Sequence, residues 1–328
     1  MNPVLNELER DPLFQLNVVL WMAQPLPSGL EGQPQPLLYS RGFTVYAVGP
    51  LLALPPAVRL AVVDSGVDTQ ESAAPDVVLA RQRDGRFAFV ECKGGWFGVE
   101  SSTARQARAL LIMAGPAAAD VLGLQADGIS EAMLSLISSE EDRGKLGDTL
   151  HDLGRELSQA HFRVGPSDVL GLRTDGGNVS IEVHGAAGEF YGLALGSHEL
   201  LKLEPETDPR PLYFVPFDPD VCQSPTERAY CKRVLYERMQ VSIVSALGHA
   251  GPPVDLSIET ERLLNDAMFG TYSRWEKRES RQNRKGCAAS SWQESRRRSI
   301  RDIRAQSSTS PVWAGRSDCK TEGTSTTP

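Results

Sequence analysis

The chain has 328 residues, of which 41% are hydrophobic and 23% charged, and its formal net charge is −8. This composition is typical of a globular protein, and the length is sufficient for two domains. The charge is uneven: from Arg274 to the end there are 13 Lys/Arg and 6 Asp/Glu, or +7, which leaves −15 for everything before. An acidic body disfavours tight non-specific binding to nucleic acid.

Several classes of protein are disfavoured by simple patterns. The cysteines are scattered singly and form no Cys-x-x-Cys pair, which indicates neither a zinc site nor a disulfide framework and favours a reducing, cytoplasmic location. The five are Cys92, Cys222, Cys231, Cys287 and Cys319. Neither a signal peptide nor a membrane span is expected, because no apolar run has the required length or flanks. No Walker or dinucleotide glycine motif appears, so no nucleotide cofactor is expected.

In the first part of the chain, helix and strand patterns alternate. Residues 3–23 have a helical spacing of apolar side chains that is interrupted at Asp11-Pro12. Residues 24–36 hold four prolines and two glycines, which predict a loop or linker. Residues 42–54 predict a strand followed by a turn, and residues 58–66 predict a buried strand.

The second part of the chain predicts helices around a β-rich region. Residues 128–162 have a charged helical pattern with a break near 143–147, and helices are also predicted at 225–247 and 258–275. Four segments between them predict strands: DVLGLRT, VSIEVHG, GEFYGLALG and RPLYFVPFDPD.

The last stretch, from about residue 277, has a different character. It is rich in Arg and Ser and lacks apolar periodicity, which predicts disorder. Two interpretations stay open: a basic arm that adds affinity for phosphates, or translation out of frame of a longer helical domain.

The most informative stretch is PDVVLARQRDGRFAFVECK, residues 75–93. Residues 77–82 and 87–93 predict two strands, because they are rich in β-branched and aromatic side chains. Asp84-Gly85 between them is among the best sequences for a two-residue type I′ turn. The stretch therefore predicts an antiparallel hairpin.

This turn fixes which residues share a face. It would place Val78 opposite Glu91 and Asp76 opposite Lys93, so that Asp76, Glu91 and Lys93 lie on one face of the sheet. Two carboxylates and an ammonium on a buried face are costly without a counter-charge. A hard cation such as Mg²⁺ or Mn²⁺ would supply it, since Mg²⁺ is commonly held by one or two carboxylates together with water and substrate phosphate.

At these residues the chain resembles the PD-(D/E)xK superfamily of restriction-endonuclease-like nucleases. Pro75-Asp76 matches the PD element and Glu91-Cys92-Lys93 matches ExK, within a resemblance that covers roughly residues 58–123. The resemblance implies Asp76, Glu91 and the backbone carbonyl of Cys92 as metal ligands, with Lys93 beside them. It also implies a helix after the second strand, which residues 101–115 supply.

In several branches of the family this helix carries a Gln or Arg that faces the site. Gln106 and Arg105 are the candidates here, and Gln106 is preferred as a catalytic residue. Gln106 shares a helix face with Leu110 and Met113, whereas Arg105 lies on another face, so at most one of the two should point at the site. An acidic residue on a preceding helix often completes such sites, but no upstream Glu stands out in this chain.

The sequence thus predicts an α/β protein with a restriction-endonuclease-like mixed sheet flanked by helices. We expect four parts: an N-terminal helix and linker (1–36), a nuclease core (37–125), an α+β region of unknown role (126–275) and a disordered tail (276–328). The expected function is metal-dependent hydrolysis of phosphodiester bonds, with DNA as substrate, in prokaryotic defence or repair. The alternative is a non-catalytic subunit that serves as a binding or assembly module for protein partners in such a complex.

Three further interpretations concern individual segments. An alternative interpretation of Glu91 and Lys93 is a plain ion pair on a half-exposed strand. Trp96 and Phe97 lie in a glycine-rich segment after Lys93, where they could stack on a base or be tucked under a turn. Arg81, Arg83 and Arg86 form a basic cluster that could contact phosphates.

A serine-protease arrangement is the remaining alternative. The segment AVVDSGVD, with Asp64, resembles the aspartate strand of subtilisin-like proteases, and Gly323-Thr324-Ser325 resembles their nucleophile motif. The nearest histidine match is His184, which follows a predicted strand, and the serine lies four residues from the end of the chain. Both placements disfavour a catalytic triad.

Overall fold

The computed structural model describes residues 8–25, 36–203, 209–216, 225–250 and 258–275. The α-helices in these ranges are α1 (Pro12–Ala23), α2 (Pro56–Ser65), α3 (Ser102–Met113), α4 (Ala118–Leu122), α5 (Glu140–Gln159), α6 (Gly185–Tyr191), α7 (Pro225–Ala250) and α8 (Thr260–Ala267). The strands are β1 (Thr44–Val48), β2 (Leu52–Ala53), β3 (Ser72–Ala73), β4 (Val77–Arg81), β5 (Arg86–Cys92), β6 (Glu131–Ser139), β7 (Ser167–Asp175), β8 (Asn178–Val183) and β9 (Gly196–Lys202).

Seven strands form one mixed sheet in the order β1-β4-β5-β6-β7-β8-β9, and β2 and β3 form a separate pair. The central pairs β5–β6 and β6–β7 are parallel, whereas the pairs toward both edges are antiparallel. The α/β class with a mixed sheet flanked by helices is therefore confirmed. The β5–β6 pair also joins strands from the ranges 37–125 and 126–275 in a single sheet.

Helices cover both faces of the sheet. Helices α3 and α5 pack on the face that carries the buried side chains of Val78, Phe89 and Leu134. Helix α1 packs against β1, β4 and β5. The alternate residues Leu79 and Val90, which point to the opposite face, are also buried. The central strands are consequently apolar on both sides, and a polar side chain at their ends is held in a dry environment.

The hairpin forms, but its turn differs from the predicted one. Arg81 pairs with Arg86, so the connection consists of residues 82–85, with a 3-10 turn over Gln82–Asp84. Only Gly85 has a positive φ there (65°), whereas a type I′ turn requires positive φ at both central residues. The longer loop is stabilised by the buried Arg81 guanidinium, which donates to both carboxylate oxygens of Asp84 at 2.9 and 2.7 Å.

The longer loop shifts the hairpin register by two residues. Val77 pairs with Val90, so the next position outward places Asp76 opposite Glu91 rather than opposite Lys93. A shift of one residue would have moved every side chain to the other face, but a shift of two keeps the faces unchanged. The predicted face is thus correct although the predicted pairs were wrong.

In the first half of the chain, two segments of the predicted secondary structure are wrong in type. Residues 58–66 lie in helix α2, not in a buried strand; the helix starts at Pro56, ends at the left-handed Gly66 and buries none of its side chains. Residues 128–162 contain strand β6 as well as helix α5, which runs without a break through 143–147. Strand β6 lies between two parallel neighbours, and such strands are apolar on both faces, so their sequences do not alternate.

The other predictions are confirmed in part. Helix α1 begins after Asp11, whose carboxylate accepts the N–H of Leu13, and α3 begins after Ser101, as expected. The segment GEFYGLALG is wrong as a strand, because most of it forms α6 and the turn after it. The described part of RPLYFVPFDPD contains a 3-10 turn and no strand. The predicted linker, the segment after 275 and residues 217–224 lie wholly or largely outside the described residues.

None of the helices within the described ranges combines the length and the apolar character needed to cross a bilayer.

We predict that Asp84→Asn destabilises the protein by about 1 kcal/mol at pH 7, a value that allows for the partial exposure of Asp84. The Arg81 hydrogen bond is the largest cause that lowers the pKa of Asp84. A carboxyl with a lowered pKa contributes stability above its unfolded pKa of about 3.9 and loses that contribution as the pH falls through the folded value. Thermal unfolding should therefore separate variant and wild type at pH 7, and the difference should close below about pH 4. A difference that is constant with pH would contradict the assignment.

Candidate functional site

The three predicted residues meet at the ends of β4 and β5. Asp76 immediately precedes β4, Glu91 lies in β5, and Lys93 follows its last residue. The Oδ2 atom of Asp76 accepts the backbone N–H of Cys92 at 2.7 Å. This bond holds the Asp76 carboxylate at the end of β5, next to Cys92. Cys92 lies between Glu91 and Lys93 in the sequence.

Glu91 is the centre of the site and is only 6% exposed. Its Oε1 atom accepts hydrogen bonds from Lys93 Nζ at 2.8 Å and from Gln106 Nε2 at 3.0 Å. Its Oε2 atom is buried and has no hydrogen-bond partner. The side-chain hydrogen bonds therefore converge on Oε1, and Oε2 is buried with no partner within hydrogen-bond distance, although the backbone N–H of Asp76 lies near enough to lower the pKa of the carboxyl.

Burial also controls ionisation in the site. It raises the pKa of the Glu91 carboxyl above its ordinary value, and the neighbouring Lys93 ammonium opposes this rise. Burial raises the pKa of the Cys92 thiol well above its ordinary value, and the nearby carboxylates of Asp76 and Glu91 raise it further. Cys92 is thus a buried, unreactive thiol, as the sequence predicts.

The backbone of Lys93 is fixed from two other elements. Its N–H donates to the carbonyl of Ile137 at 2.9 Å, and its carbonyl accepts Gln15 Nε2 and Ser138 Oγ, both at 2.8 Å. Gln15 is fully buried on α1, and Ser138 is fully buried near the end of β6. Both residues were missed by sequence reasoning, although a glutamine inside the apolar sequence PLFQLNVVLWMA is a signal that could have identified Gln15.

Helix α3 supplies one residue to the site and not two. Gln106 donates to Glu91 and also to the carbonyl of Ala74, at 3.3 Å. Arg105 is half-exposed, and its guanidinium lies 3.9 Å from the Asp68 carboxylate. Of the two candidates, Gln106 therefore contacts the Glu91 carboxylate, and Arg105 is turned toward Asp68.

Two of the three arginines in the basic cluster of the hairpin make internal contacts, and Arg83 is exposed. Arg81 is buried against Asp84 and lies 4.8 Å from the Phe43 ring centroid. Arg86 lies 3.2 Å from a Glu131 carboxylate oxygen and donates to the carbonyl of Phe190 at 2.9 Å. A phosphate-binding role for Arg81 is excluded by its burial, because its guanidinium cannot reach a substrate on the surface.

The protease arrangement is wrong in its structural context. Asp64 lies on the exposed helix α2 instead of a buried strand. His184 Nε2 lies 3.8 Å from Glu140 Oε1, and Ser325 is outside the described residues. The plain ion-pair interpretation is partly right: Glu91 and Lys93 do pair, but on a strand that is buried rather than half-exposed.

The oxygen atoms of the site fit a hard cation with few protein ligands. Among the described residues there is no group of three or more His, Cys, Asp or Glu that could hold a metal. The carboxylates of Asp76 and Glu91 and the backbone carbonyl of Cys92 remain as possible oxygen ligands for a metal ion. The N–H of Cys92 points at Asp76, and in an extended strand the N–H and C=O of one residue point to the same edge, so the Cys92 carbonyl points there as well. The unused Glu91 Oε2 adds a buried acceptor, and Mg²⁺ is typically held by one or two carboxylates.

Comparisons with known proteins identify no relative: no family model, no curated protein and no solved structure matches the chain.

We predict that Lys93→Met destabilises the protein by about 2–4 kcal/mol at pH 8, because it leaves the Glu91 carboxylate buried without its counter-charge. A glutamate with a raised pKa is tolerated below its unfolded pKa and costs stability as the pH rises through the folded value. The deficit of Lys93→Met should therefore shrink between pH 8 and pH 5, as measured by chemical denaturation.

The double variant Glu91→Gln/Lys93→Met should recover most of this loss, since it removes both charges. The exposed Lys202→Met serves as a matched control and should be neutral. A double variant no more stable than Lys93→Met would show that the loss comes from packing and not from the unpaired carboxylate.

Proposed function

We propose that the protein is a metal-dependent nuclease that hydrolyses phosphodiester bonds, with DNA as the substrate, in the manner of the restriction-endonuclease-like enzymes that residues 75–93 resemble. The observation that carries the proposal is the Glu91 carboxylate, which is buried with one oxygen bound and the other unused, beside Asp76 and Lys93. An arrangement of this kind costs stability and is typical of functional sites. The scattered cysteines fit a cytoplasmic enzyme of prokaryotic defence or repair.

In the proposed mechanism the protein residues have distinct tasks. Asp76, Glu91 and the Cys92 carbonyl hold a Mg²⁺ or Mn²⁺ ion, and Gln106 keeps the Glu91 carboxylate in orientation through its 3.0 Å hydrogen bond. The ion supplies positive charge against the phosphate and acidifies water. The Lys93 ammonium would orient the attacking water and offset charge on the phosphate once Glu91 no longer depends on it for a counter-charge.

The negative charge of residues 1–273 restricts how a DNA substrate can be held. The part of the chain before Arg274 has a formal charge of −15, so a general electrostatic attraction to DNA is not expected from it. Binding then depends on contacts at the site, including the ion itself. This favours a substrate presented locally, by its structure or by a protein partner, over tight non-specific binding along a duplex.

We predict that Glu91→Ala and Lys93→Ala each reduce cleavage at least about 100-fold, the loss typical of a group that stabilises the transition state. The assay compares linear, circular and single-stranded DNA and RNA with Mg²⁺, Mn²⁺ or EDTA. The exposed residues Glu71 and Lys202, each replaced by Ala, are matched controls and should retain wild-type rates. Cleavage that survives both site variants would refute the assignment.

We also predict that Mn²⁺ or Mg²⁺ stabilises the wild type against heat, by about 1–3 kcal/mol at 10 to 100 times the dissociation constant. Asp76→Asn should remove this shift, because it replaces a charged ligand by a neutral one, whereas the Glu71→Ala control should keep it. Na⁺ at matched ionic strength separates a site-specific effect from general screening. A shift of equal size in Asp76→Asn and wild type would place the ion elsewhere.

The second candidate function is a non-catalytic binding or assembly module. The observation in its favour is that the site is already internally paired: Lys93 and Gln106 both donate to Glu91, and Cys92 donates to Asp76. Such a site can be stable without an ion and serve only the fold. A folded wild type that shows neither metal-dependent cutting nor a metal-dependent thermal shift would favour this second function.

A further inference from the structure

One aromatic side chain next to the site is exposed although its position is fixed. Trp96 is 57% exposed, and it is the one tryptophan among the exposed large hydrophobic residues of the described ranges. It lies three residues after Lys93, so their backbones are at most about 11 Å apart. Exposure of a single apolar side chain is ordinary, but here the exposed aromatic face lies at the edge of a polar site, where a ligand can reach it.

The ring is held in place by helix α5. Its Nε1–H donates to the Thr149 hydroxyl at 3.0 Å, and that hydroxyl donates in turn to the Lys145 carbonyl at 2.9 Å. Thr149 is only 6% exposed, so the acceptor itself is well fixed. A Cβ atom on Gly98 would lie 3.8 Å from the ring, which places the indole beside a residue with no side chain. A ring fixed in advance loses little conformational entropy when it binds.

The neighbouring aromatic has the opposite environment. Phe97 is 8% exposed and packs in the core, and Lys93 Nζ lies 5.9 Å from its ring centroid. The interpretation as an aromatic tucked under a turn is therefore confirmed for Phe97 only. Phe97 is tucked under the segment, and Trp96 is presented to solvent.

The charges near Trp96 favour contact with a base over contact with a phosphate. Asp142 Oδ2 lies 3.9 Å from the position of a Cβ on Gly95, and Arg10 is already shared between Glu141 at 2.9 Å and Asp142 at 3.6 Å. Acidic neighbours repel a phosphate, whereas stacking on an aromatic face needs no positive charge. In a duplex the base faces are covered by their neighbours, so an unpaired base is the partner that fits.

We propose that Trp96 is a specificity-determining residue that stacks on an unpaired nucleobase next to the scissile phosphate. The substrate class is then single-stranded nucleic acid, or a strand end or junction with unpaired bases. This inference rests on the proposed nuclease function, and Thr149 acts as a positioning residue for the ring.

The test measures binding of a fluorescein-labelled single-stranded oligodeoxynucleotide, and of the same sequence as a blunt duplex, by fluorescence anisotropy. Ca²⁺ replaces Mg²⁺, and all variants carry Lys93→Ala so that no strand is cut. Trp96→Ala should weaken binding of the single strand roughly 5- to 100-fold, the range for loss of one base–aromatic stack. Trp96→Phe should stay within about 3-fold of the parent, because it keeps an aromatic face.

Two controls separate stacking from structural damage. Tyr39→Ala removes another exposed aromatic from the 3-10 turn before β1 and should bind like the parent. Thr149→Val keeps the side-chain size but removes the acceptor for the indole, and it should give a smaller loss than Trp96→Ala that is again confined to the single strand.

The outcomes distinguish the two proposals. If the protein with Lys93 intact cuts nucleic acid but Trp96→Ala binds the single strand as Trp96→Phe does, the stacking role is overturned and the nuclease function stands. Equal losses for single strand and duplex would overturn the preference for unpaired bases. If the protein neither binds nor cuts any nucleic acid while folded, the nuclease function fails, and the stacking role fails with it.

Discussion

The buried Glu91 carboxylate is the constraint on which the rest of the site depends. A carboxylate at 6% exposure needs a counter-charge and hydrogen bonds, and the fold supplies both to one oxygen only, from Lys93 at 2.8 Å and Gln106 at 3.0 Å. Lys93 can serve Glu91 because its backbone is held by β6 and α1. Four elements, α1, α3, β5 and β6, therefore fix the position of the Glu91–Lys93 ion pair. Asp76 adds a second carboxylate at the same place, held there by the backbone N–H of Cys92.

The position of this pair follows from the topology of the sheet. Strand β5 is antiparallel to β4 and parallel to β6, so its end meets the start of β4 on one side and the end of β6 on the other. Asp76 comes from the first side, and Ser138 comes from the second. Because the central strands are covered on both faces by helices, the polar groups at this edge lie at the boundary between a dry core and solvent. Charged groups in such a boundary interact more strongly than they would in water.

The sequence predicts the face of the site better than its details, and the reason is the period of a strand. Asp76, Glu91 and Lys93 were assigned to one face from an incorrect turn, and they keep that face because the register error is two residues. The turn itself could not be predicted, because it depends on the ion pair between Asp84 and Arg81. Arg81 is buried only in the folded sheet. Strand β6, EAMLSLISS, was assigned to a helical segment for a similar reason: neighbouring elements bury both of its faces, so its sequence does not alternate between apolar and polar residues. Ser138 and Gln15 reach Lys93 only in three dimensions, and no local signal links residues so distant in the chain.

The internal pairing of the site also bears on how it would bind a cation. Lys93 already compensates Glu91, so an ion that binds there must displace or share an existing interaction, and the gain is smaller than at an open carboxylate pair. The Glu91 Oε2 atom and the Asp76 carboxylate would supply two charged ligands, and Mg²⁺ in proteins is commonly held by one or two carboxylates together with water and substrate phosphate. Affinity for the ion should therefore be modest in the free protein and higher once a phosphate is present. If the proposed nuclease function is right, this coupling would keep the site inactive until a substrate strand is in place, and the fixed indole of Trp96 would help to select that strand.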